Sequence, residues 1–144
     1  MTLPTDPLGV HDLLAADTAL MALVGTYALA DGTTRPAIAT LWPNERGPGG
    51  NTTAGVEVVV ARGTSGTAET FLSGGEAITR VIRLYVTQWQ PASGTANLEA
   101  AVVRIGQLLP GATWQPINLP DGLTGLGQYA VRWDAEEADR WAEN

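Results

Sequence analysis

His11 and the adjacent Asp12 are the first residues in this chain that could act as a base and its orienting acid. Such a pair does chemistry only with a nucleophile in reach, in a cleft that holds substrate. His11 is the single histidine, so any Ser–His–Asp arrangement must use it, and no nucleophile-elbow pattern accompanies it. It reads as an ordinary helix-surface residue. One histidine excludes metal sites built on several imidazoles. The absence of cysteine removes thiol nucleophiles, disulfides and cysteine-held zinc or iron–sulfur centres. The acids of the body, Glu57, Glu69, Glu76 and Glu99, are scattered singly, so no carboxylate pair for glycoside chemistry can be named. The densest acids, Glu136, Glu137 and Asp139, fit a solvated face better than a cation site.

Glycine-rich stretches raise the question of phosphate binding. Gly47-Pro48-Gly49-Gly50 lacks the Lys-Ser/Thr that completes a P-loop, and the chain has no lysine. Gly122, Gly125 and Gly127 are not spaced as a dinucleotide fingerprint. Both stretches read as loops and turns. No cofactor, no metal and no catalytic residue is expected, and the chain reads as a protein that is not an enzyme.

Five tryptophans, Trp42, Trp89, Trp114, Trp133 and Trp141, say more. Most lie at or near the ends of strand-like runs, where an indole buries its ring and keeps one polar edge. Trp and Arg are also enriched where subunits meet. Trp141 beside Arg140, in an acidic stretch with little core to join, is the best interface candidate of the five.

The elements that must position these residues follow from apolar spacing. Asp6 can cap a helix that starts at Pro7. Leu13, Leu14, Leu20, Leu23 and Val24 favour one face of a helix, or of two short helices with Asp17 capping the second, and Gly25 stops it. Three β-rich runs follow, at 37–42, 55–61 and 77–89. The third is the longest, with Ile78, Ile82, Leu84 and Val86 on one face and Val81, Arg83, Tyr85 and Trp89 on the other, which predicts a strand covered on both sides. Between the runs, 45–54 and 63–75 are glycine-rich and read as mobile loops or a long hairpin tip. Leu98, Ala101, Val102, Ile105 and Leu109 form an amphipathic stripe over a helix from about Thr95 or Ala96, stopped by Pro110-Gly111. Residues 112–118 and 128–133 read as two strands joined through a turn with Pro120-Asp121-Gly122. Asp134 with Glu137 is a candidate capping box for a short helix.

The expected fold is α+β, with a mostly antiparallel sheet of about five strands, two packed helices and the order α-β-β-β-α-β-β. Residues 1–133 make one domain, and 134–144 an acidic tail or short helix. With 144 residues, 44% of them hydrophobic and 16% charged, one folded core is expected. The net charge of −7 offers no basic footprint for sequence-specific nucleic-acid binding. All eight basic residues are arginine, which with abundant Ala and Gly reads as a GC-rich genome. No secretory leader and no membrane span are expected, since 1–7 has no basic residue and the apolar stretch 19–30 is short and broken by Gly25 and Thr26.

Several phrases resemble the tail terminator (tail completion) proteins of long-tailed bacteriophages. They are Leu13-Leu14-Ala15-Ala16-Asp17 through Leu20-Met21-Ala22-Leu23-Val24-Gly25, then Leu41-Trp42-Pro43, then the run from Arg80 to Trp89. The resemblance spans about Leu8 to Trp133. It implies a structural protein of the virion, made in the host cytoplasm, that forms a ring, commonly six-fold, at the head–tail junction. The ring would cap the tail tube protein, meet the head–tail connector protein, and let DNA pass through its lumen. The glycine-rich loops would contact the tube. Candidate contact residues are then Arg46, Arg62, Phe71, Leu72, Arg140 and Trp141. A head-side connector or a minor tail protein would share these features. A small-ligand or peptide-binding module, with tryptophans lining a pocket, and a carboxylate-dependent hydrolase are the readings from other classes.

Overall fold

The computed structural model describes residues 3–29, 31–40, 55–70, 76–89, 95–117 and 127–139. The chain opens with α1 (Pro7–Ala15), where the Asp6 carboxyl accepts from the Gly9 amide and Pro7 sits in the first turn. The helix breaks at Ala16, and Asp17 caps α2 (Thr18–Met21) by accepting from the Leu20 amide. Of the two expected arrangements, the pair of short helices is the one formed.

Gly25 then donates to the Val56 carbonyl, and the chain enters a small hairpin that sequence reading passed over. Its strands are β1 (Thr26–Ala28) and β2 (Thr34–Pro36), which pair with each other as a separate two-stranded sheet. Asp31 closes the turn by accepting from the Thr33 amide and hydroxyl, bonds that hold its carboxyl below the ordinary pKa. Of the run expected at 37–42, only β3 (Ile38–Ala39) is strand among the described residues.

The main sheet comprises β3, β4 (Gly55–Thr70), β5 (Glu76–Trp89), β6 (Thr113–Ile117) and β7 (Gly127–Asp139), in the order β3-β4-β5-β7-β6. All its pairings are antiparallel except β3 with β4. The α+β class and mostly antiparallel sheet are as expected, with three helices among the described residues in place of two packed ones. Residues 63–70, expected within a glycine-rich connection, continue β4, with a register shift between Arg62 and Gly66. Residues 134–139, expected as a tail or short helix, continue β7, each paired with a residue of 76–81. A capping-box pattern at Asp134 and Glu137 is outweighed there by ladder hydrogen bonds to β5.

The helix α3 (Ala96–Leu108) starts at Thr95, whose side chain makes no capping hydrogen bond. Its expected stripe, Leu98, Ala101, Val102, Ile105 and Leu109, is buried. It packs with Val10, Leu14 and Leu20 of the first two helices onto Val56, Val58, Val60, Ile82, Leu84, Val86, Val131 and Trp133. Period-2 alternation sends the intervening residues to the opposite, outer face. Tyr27, Ala37 and Ala39 form a second small cluster. It covers the part of the outer face near Glu57, so β5 is buried on both sides there, as its sequence predicts.

Candidate functional site

Among the described residues, the one acid that the fold buries completely is Glu57, in a run of valines on β4. Its carboxyl accepts from the Tyr27 hydroxyl at 2.7 Å and from the Trp89 indole at 3.0 Å. Arg35 on β2 lies over the Tyr27 ring, 5.1 Å from its centre. These contacts bolt the β1–β2 hairpin to the outer face of the sheet. A buried acid must be hydrogen-bonded to persist, and this one is held by donors from two other elements. In the next position of the same row, Gln128 donates to Thr87 at 2.7 Å. The arrangement is a structural tie, in which each carboxylate oxygen accepts from a donor on another element.

The other sequence-level candidates for chemistry do not assemble either. His11 is half-buried and contacts the neighbouring Asp12 at 3.0 Å. Glu99 is exposed in the first turn of α3. Among the described residues, no group of three or more His, Cys, Asp or Glu could hold a metal ion.

Surfaces carry more information than pockets in this protein. Of the expected contact residues, Arg62 is exposed on β4 at the start of the register shift. Arg46, Phe71, Leu72, Arg140 and Trp141 lie outside the described residues. Trp89 and Trp133 belong to the buried set, whereas Trp114 on β6 is 53% exposed. Its ring meets the Tyr129 ring edge-on, with centroids 5.0 Å apart. An indole left half in water on an edge strand is the kind of anchor that subunit contacts use. Sequence reading singled out Trp141 for this role; the exposure of Trp114 follows from its place on β6, where Thr113, Gln115 and Pro116 are exposed as well.

The sheet leaves two long edges. On one side β3 pairs only with Val58 and Val59, so among the described residues β4 from Val60 to Thr70 has no second neighbour. On the other side, among the described residues, β6 has a single partner and β7 from Trp133 to Asp139 has no strand beyond it. No family model, no curated protein and no solved structure matches this chain. Near β6 the outer face also holds a cleft of about 300 Å³, bordered by Arg83, Thr113, Gln115, Ala130 and Arg132. Arg132 donates to Asp134 at 2.7 and 3.2 Å, which holds its guanidinium more firmly protonated. Among the described residues, no helix is long and apolar enough to cross a membrane.

Proposed function

We propose that this chain is a structural assembly protein of a phage tail, a ring-forming tail terminator that caps the tail tube and joins it to the head connector. The observation that supports this reading is the pair of open sheet edges, β4 on one side and β6–β7 on the other. Unpaired strand edges template association, and natural monomers blunt or cover them. Here the two edges are different surfaces on opposite sides of one sheet. A contact between unlike patches is heterologous, and repetition about an axis closes it into a ring. The sequence resemblance to tail terminators points the same way, and the exposed Trp114 supplies an apolar anchor on one of the two edges.

Native mass measured by light scattering, with negative-stain images taken with and without purified tail tubes, tests the reading. Rings in solution, or a monomer that becomes a ring on tube ends, are the expected result. A chain that stays monomeric at high concentration and ignores tubes would refute it. Rings that bind connector and not tube would instead make it a head-side connector.

A further inference from the structure

The β1–β2 hairpin belongs to one edge of the sheet and to one face. Its two ends are held by β4: Gly25 donates to the Val56 carbonyl, and the Ala37 carbonyl accepts from the Val58 amide, both along the edge away from β5. Tyr27 bonds Glu57 on the outer face, so the hairpin stands on that face at the β4 border. Its turn carries Asp31, which is exposed. Both hydrogen bonds from Thr33 end on Oδ1, and the second oxygen keeps its capacity to accept.

Toward the other edge the same face contains an electrostatic conflict. Arg83 on β5 and Arg132 on β7 stand directly opposite one another, and like charges so placed repel. Asp134 grips Arg132 through two hydrogen bonds and offsets one of the charges. Arg83 is exposed, and among the described residues no carboxyl group pairs with it. Thr113 and Gln115 of β6, with the small Ala130, border the same cleft. One uncompensated guanidinium beside a hydroxyl and an amide suits a single carboxylate. Among the described residues the exposed acids are Asp6, Asp12, Asp31, Glu99 and Asp134. Asp6, Asp12 and Glu99 belong to α1 and α3, on the opposite face of the sheet, and Asp134 is held by Arg132. Asp31 is the one left on the outer side. In its own molecule the Tyr27–Glu57 bond fixes the hairpin, and the Asp31 carboxyl bonds Thr33, not Arg83.

We infer that the Asp31 turn of one copy of this chain docks into the Arg83–Arg132 cleft of the next. The inference rests on the ring reading above and gives its two edges a specific contact. Neighbours related by rotation about one axis keep the same face outward. Where the β4 edge of one copy meets the β6 edge of another, the hairpin of the first therefore lies beside the cleft of the second. The patches are unlike, so the contact is head-to-tail. Their opposite charges set register and speed encounter at low salt.

Light scattering on the full chain at low salt, with tail tubes present where rings form only on them, tests the contact by charge exchange. Asp31→Arg and Arg83→Glu are each expected to weaken self-association by about tenfold or more, since each sets like charges face to face. An equal mixture of the two variants should recover it, because each changed residue then meets its opposite on a neighbouring chain. Asp31→Asn, which keeps the acceptor for Thr33 and loses the charge, should give a smaller loss; circular dichroism checks that each variant is folded. Recovery on mixing requires a contact between chains. A cleft filled by its own chain or by another protein gives no recovery, which overturns the inference. Rings that form equally well with either single variant also overturn it and leave the ring reading standing. A wild-type chain that never assembles, with or without tubes, sinks both readings.

Discussion

Arg104 on α3 grips Asp17 at the start of α2 through two hydrogen bonds, Nη2 to Oδ1 at 2.7 Å and Nε to Oδ2 at 2.9 Å, across 87 residues of sequence. The same carboxyl caps α2 through the Leu20 amide, so one side chain ends a helix and ties it to another. The hydrogen bond from Arg104 is the main reason that the Asp17 pKa lies below its ordinary value; burial opposes it, and the Leu20 amide adds to it. Asp17→Ala is expected to cost about 1–2 kcal/mol, the worth of a cap with some loss from the pair. The sign of the pH dependence follows from the lowered pKa. The contribution is whole above about pH 5, where the carboxyl is ionised folded or unfolded. It falls as pH drops through the ordinary carboxylate range, where the unfolded chain takes up the proton first, and is gone below the folded pKa. Urea unfolding of wild type and Asp17→Ala at pH 7 and in acid should show the two curves converging as pH falls.

The Glu57 tie separates two substitutions that look alike. Trp89 can only donate, whereas the Tyr27 hydroxyl can rotate and accept. In Glu57→Gln the amide oxygen can face Trp89 and the amide nitrogen Tyr27, so the loss should stay near about 1–2 kcal/mol. Glu57→Ala strands both donors and leaves a void, and roughly 3–5 kcal/mol is expected. Denaturant unfolding followed by tryptophan fluorescence measures both. Equal losses would mean that the hydrogen bonds matter little to the hairpin's seat.

Two glycines should respond in opposite directions to the same change. Gly55 has φ +97°, and a Cβ there would stand 3.0 Å from the Gly25 Cα and 3.2 Å from its nitrogen. Both obstacles are backbone, so Gly55→Ala is expected to cost about 2–4 kcal/mol. Gly106 lies inside α3 with nothing within 4 Å of a new Cβ. Gly106→Ala is expected to stabilise by roughly 0.5–1 kcal/mol. Thermal unfolding of the two variants gives the comparison directly.

Trp114→Ala tests the edge without disturbing the core. The folded protomer should lose no more than about 1.5 kcal/mol, since the ring is half exposed and contacts Tyr129 at an edge. Self-association should weaken by about tenfold or more if the indole is an anchor. Sedimentation velocity across a concentration series reads the second effect, and chemical unfolding the first.

Local chemistry was legible in the sequence wherever it decides an element alone. Asp6 and Asp17 as caps, the stripe from Leu98 to Leu109, and the two-sided strand ending at Trp89 need only neighbouring residues to define them. The length of β4 is different, because Gly63 and Gly66 argue for a loop and only pairing with β5 makes 63–70 a strand. Asp134 and Glu137 likewise suit a helix start until Arg80 and Val81 are known to lie across from Ala135 and Asp134. The proximity of Arg83 and Arg132 is a matter of register, which no pattern along one strand encodes. Tyr27 and Glu57 meet across 30 residues through a hairpin whose strands are three residues each, too short for a periodicity to show.

The position of β7 has a consequence for how the protein is made. Among the described residues it is the last strand in sequence, yet it lies between β5 and β6. A growing chain on the ribosome therefore exposes the whole flank of β5 and leaves β6 with nothing to join until residues 127–139 emerge. The sheet closes only then, through contacts distant in sequence, which makes for slow folding and a vulnerable interval before completion. Truncation just before Gly127 should thus yield an insoluble chain, read by its loss from the soluble fraction on expression.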